Sequence, residues 1–387
     1  MGILRVAYYT IRMDKPRLLA GAMSGTSADG VDVAIVRVIG RGLTMRAELI
    51  HHHAHPYTPE IREKIFAVRS DGAVRLADLA ELGRAVSLAY VEAIHEALRA
   101  ANLLPADLAA IAAHGQTLYH APPNTIHWLD PALIAAGVGC AVVSDFRRAD
   151  CAAGGQGAPL VPFADHLLFR DAMKNRVLLN LGGIANITFL RAGASLSEVI
   201  AFDTGPANCV IDHLARKHDV PGGFDRDGIL SMQGTPDFQL AFMAVRAWRL
   251  VFRPPPKSAD TPEMIAAFES MLRELQKQSL SLADQMATAC MMSALGVDLA
   301  LHHCKPRPDE IIASGGGVEN PRLMQEIERV TKLPIRRTEE LGVPSAAKEA
   351  IAFALLGGAT LDGEPSNVPS VTGASQSVVL GSITPKN

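Results

Sequence analysis

The sequence predicts an α/β protein of two domains around a central cleft, with the second domain repeating the pattern of the first. Three observations lead there. The chain has 387 residues, more than one ordinary hydrophobic core serves. A strand, glycine turn, strand unit occurs twice, at Arg17–Val38 and at Arg176–Leu190. Each copy is followed by helix and then by a buried strand that ends in a second glycine turn.

The elements follow in order. Leu18–Met23 and Val31–Val38 are apolar runs on either side of Ser24–Gly30 and read as a hairpin. Leu76–Ala101 carries apolar residues at steps of three and four and reads as a helix. Ala109–Ala113 is a buried strand leading into His114-Gly115-Gln116. In the second half, Val177–Leu181 and Ile187–Leu190 flank Gly182-Gly183, and helices are expected over Glu263–Gln276 and Ala283–His302. Glu310–Ala313 is the matching strand, leading into Gly315-Gly316-Gly317. The expected domains are residues 1–175 and 176–387, and the cleft between two such halves is the usual place for a ligand. Asn320-Pro321 reads as a helix start and Ser345 as the cap of a helix running through Ala354. The proline-rich Arg253–Pro262 reads as a surface loop.

Composition excludes several classes. A net charge of -3 and a pI near 6.5 argue against nucleic acid or a membrane surface as partner. No apolar run reaches the roughly 18 residues of a membrane span, and the N-terminus lacks the apolar core and small-residue cleavage site of a signal peptide. Five cysteines without a CxxC pair fit a reducing, cytoplasmic compartment. His51, His52, His53 and His55 read as a solvated loop before Pro56, and no residue is assigned to a protein-held metal.

Three motifs carry chemistry. Gly25, Thr26, Ser27, Ala28, Asp29, Gly30, Val31 and Asp32 form a small-residue loop whose peptide N–H groups can approach phosphate oxygens. It lacks the Gly-Lys-Ser/Thr of a Walker loop and is followed by a strand; the other reading is an ordinary hairpin turn. Asp203 ends the run Val199–Phe202, where α/β sheets place ligand-binding carboxylates, or it is the Asp of a turn or helix cap. Gly315, Gly316 and Gly317 let backbone lie flat against adenine, or serve a turn that needs positive φ. Gly182 and Gly183 join them as cofactor candidates, and His114, Thr117, Asp145 and Arg147 are candidates for holding a sugar. Arginines beside aspartates grip hydroxyls or carboxylate in pairs, or form a structural ion-pair network.

Together the blocks MSGTSADGVD, AHGQTLYH, SDFRRADCAAGGQGAPLVP, LNLGGIANIT, FDTGPANCVID, FDRDG, SGGGVENPRL, AKEAIAFALL and NVPSVTGASQSVVLGSITP resemble the anhydro-N-acetylmuramic acid kinases. They lie in order from about Leu18 to Pro385. The resemblance implies a duplicated actin-like ATPase (ribonuclease H-like) fold. It implies a reaction in which ATP, water and 1,6-anhydro-N-acetylmuramic acid give N-acetylmuramic acid 6-phosphate and ADP during peptidoglycan recycling, with Mg²⁺ accompanying ATP. By the same resemblance Asp203 is the general base for water, Glu349 a second active-site carboxylate, and Gly25–Asp32 the ATP loop.

The chain departs from the family's pattern at Thr125–Leu129 and at Pro256–Pro262, both stretches able to touch the sugar. A kinase for another anhydro sugar such as levoglucosan is the nearest alternative. A nucleotide switch or chaperone of the same fold, and a catalytically dead sugar sensor, are further ones. A homodimer is left open. Residues 1–12 match no block and read as an added tail, with Met13 as the expected start.

Overall fold

The computed structural model describes residues 15–70, 73–255, 257 and 259–386; the expected tail and start at Met13 lie outside these. The chain forms two compact units. The first runs to Ala152 and takes in Glu349–Asn367 and the stretch from Ser377 onward; the second is Ala153–Lys348 with Val368–Gln376. This division differs from a single boundary near 175, although the second sheet does begin at Arg176.

In the first unit, β1 (Arg17–Ser24), β2 (Gly30–Ile39) and β3 (Arg46–Pro56) form an antiparallel meander. α1 (Pro59–Arg69) and α2 (Leu76–Ala100) follow, then β4 (Leu108–Ala121), which pairs parallel with β1. β5 (Asn124–Trp128) folds back on the end of β4. After α3 (Pro131–Val138), β6 (Val142–Ser144) pairs parallel with β4 and α4 (Arg148–Ala152) closes the segment.

The second unit opens with α5 (Val161–Phe169) and a meander of β7 (Arg176–Leu181), β8 (Ile184–Leu190) and β9 (Ile200–Pro206). Five helices follow: α6 (Asn208–Lys217), α7 (Ile229–Gln233), α8 (Phe238–Ala247), α9 (Thr261–Glu274) and α10 (Leu282–Leu301). β10 (Glu310–Ser314) pairs parallel with β7. After α11 (Pro321–Thr331), β11 (Ile335–Arg337) pairs parallel with β10. α12 (Lys348–Asp362) begins at the last residue of this unit and continues into the first. α13 (Pro369–Thr372) belongs to the second unit, and β12 (Ser382–Thr384) returns to pair with β6 of the first.

Read from the meander edge, the first sheet runs β3-β2-β1-β4-β6 before ending on β12, with β5 paired to β4 off this path, and the second runs β9-β8-β7-β10-β11. In both, three antiparallel strands are followed by two parallel ones. This repeated order is the duplicated ribonuclease H-like arrangement of actin-like ATPases, and it confirms the duplication read from the glycine hairpins.

Burial explains the placement. Val31, Val33 and Ile35 of β2 pack with Val86, Tyr90, Ala93 and Ile94 of α2. The other face of the sheet is covered by α12, which is buried from Ala350 to Ala359. Such a helix, apolar nearly all round, belongs in a core. It lies so close that a Cβ on Gly21 would stand 1.8 Å from Ala350 O, and one on Gly357 2.5 Å from Ala112 Cβ. In the second unit α10 is the equivalent core helix, with Met286, Cys290, Met292 and Val297 fully buried.

Three local expectations are corrected. The histidine run is not a loop: it lies in β3, whose pairing with β2 satisfies its backbone. Asp203 does not end its strand, since β9 continues to Pro206. Ser345 does not cap α12; its hydroxyl accepts a hydrogen bond from Gly315 N at 2.8 Å. Asn320 does cap α11, accepting from Leu323 N.

Candidate functional site

The first unit gathers a polar network at the C-terminal end of β1 and in β4. Ser24 is the last residue of β1 and is buried. Its hydroxyl donates to Gln116 Oε1 at 2.7 Å, and Gln116 Nε2 donates to Gly25 O at 3.0 Å. Gln116 thus pins the start of the Gly25–Asp32 loop to β4. Within the loop Ala28 N donates to Gly25 O, and Ser27 Oγ donates to Asp29 Oδ1 at 2.9 Å. Thr26, Ser27 and Asp29 are exposed, while Ala28 and Val31 are core residues. Gly30 is glycine because a Cβ would stand 2.2 Å from His55 O. At Gly25 no such reason exists: a Cβ would meet Ser27 Oγ at 3.7 Å, ordinary contact.

His114 sits beside Gln116's strand neighbours, buried between the rings of His127 at 4.8 Å and Phe353 at 4.6 Å. Arg147 Nε and Nη2 lie 3.2 and 2.9 Å from its Nε2. A guanidinium only donates, so Nε2 is the acceptor and the ring proton is on Nδ1. Nδ1 in turn faces Ser24 O at 3.3 Å. Burial, reinforced by Arg147 and His127, holds His114 well below the ordinary histidine pKa, so the ring stays neutral. His127 is pushed down to about 3, by burial first and then by Arg147. Burial also lowers Arg147 to about 10, against an opposing pull from Glu349. Glu349 is exposed in the first turn of α12.

Of the other two sugar candidates, Thr117 borders this network, its carbonyl accepting from Gln116 Nε2 at 3.4 Å, and Asp145 stands apart from it. Thr117 is opposite His127 in the β4–β5 pairing. Asp145 adopts a left-handed φ of 60° and pairs with Arg148 at 3.5 Å rather than with Arg147. Burial raises its carboxyl above the ordinary aspartate value. A groove of about 660 Å³ opens nearby, lined by Tyr119, Thr125, Ile126, Arg148, Cys151 and Ala152.

The second unit gathers the remaining glycines. The Gly182-Gly183 turn accepts from the start of α6: Asn208 N and Nδ2 donate to Gly182 O, and Ala207 N and Cys209 N donate to Gly183 O. Gly317 is packed on Leu181, where a Cβ would stand 2.7 Å from the Leu181 Cβ, and Gly315 has φ 87°. Those two positions require glycine for the turn itself. Gly183 and Gly316 do not, because a Cβ at either would meet nothing within 4 Å. Bare backbone with open space above it suits a planar or phosphate group lying against it.

Asp203 lies on β9, with Asn186 opposite on β8. Its Oδ2 accepts from Ala259 N at 2.8 Å, and its own N donates to Lys257 O. Burial raises its carboxyl above the ordinary aspartate value, and the Ala259 hydrogen bond opposes this. Among the described residues, no group donates to Oδ1. The segment read as a surface loop therefore folds inward at Lys257, which is buried, donates Nζ to Val251 O and sits 5.2 Å from the Phe202 ring centre.

Sequence reading missed Gln116 as a site residue, and it placed Ala259 only within the stretch Pro256–Pro262 without connecting it to Asp203. A lone glutamine in the apolar strand Ala109–Leu118 was a readable signal for the first. Nothing local marks the second, because its contribution is a backbone N–H.

A family model described as anhydro-N-acetylmuramic acid kinase matches residues 17–386. A relative of that name from Bacillus cereus (strain 03BB102) is 38% identical over 384 residues, covering 95% of this chain and 98% of its own. Another, from Gloeobacter violaceus, is 38% identical over 380 residues, covering 96% and 99%. Among solved structures, (R)-2-hydroxyglutaryl-CoA dehydratase component A of Acidaminococcus fermentans aligns over 88% of this chain and 96% of its own, at TM-score 0.44 and 14% identity. A match that spans nearly the whole chain, with relatives matched over nearly their whole length, means that this chain belongs to the anhydro-N-acetylmuramic acid kinase family.

Proposed function

We propose that the protein is an ATP-dependent kinase that opens 1,6-anhydro-N-acetylmuramic acid with water and phosphorylates O6, in cell-wall recycling. The observation that carries the reading is Asp203: a partly buried carboxylate, made more basic by burial, with one oxygen fixed by Ala259 N. A base for water needs that combination of orientation and raised proton affinity.

In this reading Asp203 takes one proton from water as the water oxygen bonds to the anomeric carbon. The C1–O6 bond breaks, and O6 leaves with its electron pair. O6 then bonds to the γ-phosphorus, and the β–γ bridge breaks with its electron pair going to ADP. The second water hydrogen stays on the new C1 hydroxyl, and Asp203 releases its proton to solvent. Phosphoryl transfer itself asks the protein for positioning and charge stabilisation. Gly25–Ser27 supply peptide N–H groups for phosphate oxygens, and Gly183 and Gly316 supply bare backbone for the nucleotide. Arg147, held by neutral His114 and drawn toward Glu349, offers a fixed cation for the sugar's carboxylate. Asp29 and Asp32 would offer Mg²⁺ hard oxygen donors at the loop through Oδ2, Oδ1 of the first accepting from Ser27 Oγ and Oδ1 of the second lying 3.1 Å from His52 Nε2. The ion's contribution would be to neutralise the negative charge of the phosphate groups.

The five cysteines are all free and buried, which supports a reducing cytoplasmic location. Among the described residues no helix is long and apolar enough to cross a membrane. The groove holding Thr125 and Ile126 keeps the levoglucosan reading in play, because the chain departs from the family's pattern there. The test is ADP release with anhydro-N-acetylmuramic acid and with levoglucosan in parallel, with product mass. A product heavier than the muramic substrate by one water and one phosphoryl group supports the reading. Turnover of levoglucosan alone overturns the sugar assignment.

A further inference from the structure

The histidine run has a partner that its sequence does not reveal. Residues of a strand alternate between faces, so His51, His53 and His55 share one face of β3. In the register, His53 stands opposite Val33 and His55 opposite Val31, both core residues beneath α2. α2 brings Glu96 to the two imidazoles: its Oε2 lies 2.8 Å from His53 Nε2 and 2.8 Å from His55 Nδ1. Glu92, one turn earlier, lies 3.9 Å from His55 Nε2. The three ligand atoms of His53, His55 and Glu96 fall within 4.8 Å of one another, the one such group among the described residues.

We propose that His53, His55 and Glu96 form a binding site for a divalent transition-metal ion, with Zn²⁺ the ion it takes. Two imidazole nitrogens and one carboxylate oxygen are a borderline-soft donor set, which suits Zn²⁺ and disfavours Mg²⁺ and Ca²⁺. Donors around a tetrahedral Zn²⁺ stand about 3.3 Å apart, given bond lengths near 2 Å. The two spacings from Glu96 Oε2 to the imidazoles, 2.8 Å each, are shorter by about half an ångström, which small side-chain rotations supply. Each nitrogen facing Glu96 carries a proton in the hydrogen-bonded state, and the ion would displace those protons. Hydrogen bonds from His55 and then His53 already hold the Glu96 carboxyl below its ordinary value, so the ligand oxygen is ionised. The side chains are partly exposed, at 29%, 17% and 30%, so an ion can enter and a fourth position stays open to water or Glu92.

The site would act on structure rather than on chemistry. β3 is the edge strand of its sheet, and the ion would tie it to α2. His55 is paired with Val31, and Tyr57 N donates to Asp29 O, so the brace would lie beside the exit of the Gly25–Asp32 loop.

The experiment uses the full chain, stripped of metal and free of any added histidine tag. Calorimetric titration with ZnCl₂ should give one ion per chain, and Zn²⁺ should raise the melting temperature where equal Mg²⁺ does not. Co²⁺ should give the visible absorption of a nitrogen- and oxygen-ligated site. His53→Ala, His55→Ala and the shape-conserving Glu96→Gln should each weaken Zn²⁺ binding about tenfold or more. Glu96→Gln covers the case in which a histidine variant misfolds. Absence of Zn²⁺ binding to the wild type, or equal binding to a folded Glu96→Gln or His55→Ala protein, overturns the proposal and leaves a hydrogen-bonded surface cluster.

Discussion

Replacing Asp203 with asparagine separates its proposed chemistry from its structural part. The structural part should survive. An asparagine oxygen can accept from Ala259 N where Oδ2 now does at 2.8 Å, and the backbone bond from Asp203 N to Lys257 O is untouched. The net loss from that hydrogen bond is about 1 kcal/mol, the difference between a charged and a neutral acceptor. Burial disfavours the carboxylate here, and a neutral amide removes that penalty, so the melting temperature should hold or rise slightly. The chemical part should not survive, because an amide cannot take water's proton. Loss of a positioned base costs ~10²–10⁴-fold in rate, or about 2.7–5.4 kcal/mol of barrier. The assay is steady-state ADP release with saturating anhydro sugar, beside a nucleotide titration that should be unchanged. The wild type should also lose rate as pH falls through a pKa above the ordinary aspartate range, because the base must be unprotonated, and the variant should lack that limb. A variant turning over within a few-fold of wild type, with its acid limb intact, would refute Asp203 as the base.

Gly25→Val should leave the fold intact, since the first added carbon meets only ordinary contacts, yet weaken ATP binding in a nucleotide titration. Unchanged affinity would make the loop a plain hairpin turn. Gln116→Leu strips partners from the buried Ser24 hydroxyl and from Gly25 O; a loss of about 1–3 kcal/mol in denaturant unfolding and a raised KM for ATP should follow. Gly21→Ala would force a carbon to within 1.8 Å of Ala350 O, so thermal melting should show severe destabilisation or the protein should fail to fold.

Much of the fold was legible because its signals are local. The helix expected at Leu76–Ala101 is found at Leu76–Ala100, and the helix expected at Ala283–His302 at Leu282–Leu301. Apolar periodicity reports which face is buried, and that is a property of neighbouring residues. The two glycine hairpins and the strand at 310–314 were readable for the same reason, as was the duplication they imply; the strand expected at Ala109–Ala113 was found, but it does not end in a turn at His114-Gly115-Gln116, since pairing with β5 carries β4 on to Ala121. Family membership was legible from the collinear blocks alone. β3, β11 and β12 were not, because edge strands carry polar residues and borrow their stability from a neighbour's hydrogen bonds. The same holds for the return of α12 and β12 to the first unit, which depends on contacts more than 200 residues apart, such as Asn367 Nδ2 to Asp150 Oδ1. At the candidate site, residue types marked Asp203 and the glycines, and the family resemblance marked Glu349, but tertiary packing alone decided their surroundings. It neutralised His114 by burying it beside Arg147, brought Ala259 N to Asp203, and set Glu96 against His53 and His55. Proton affinity and ligand geometry follow from distance and burial, and a linear order of residues contains neither.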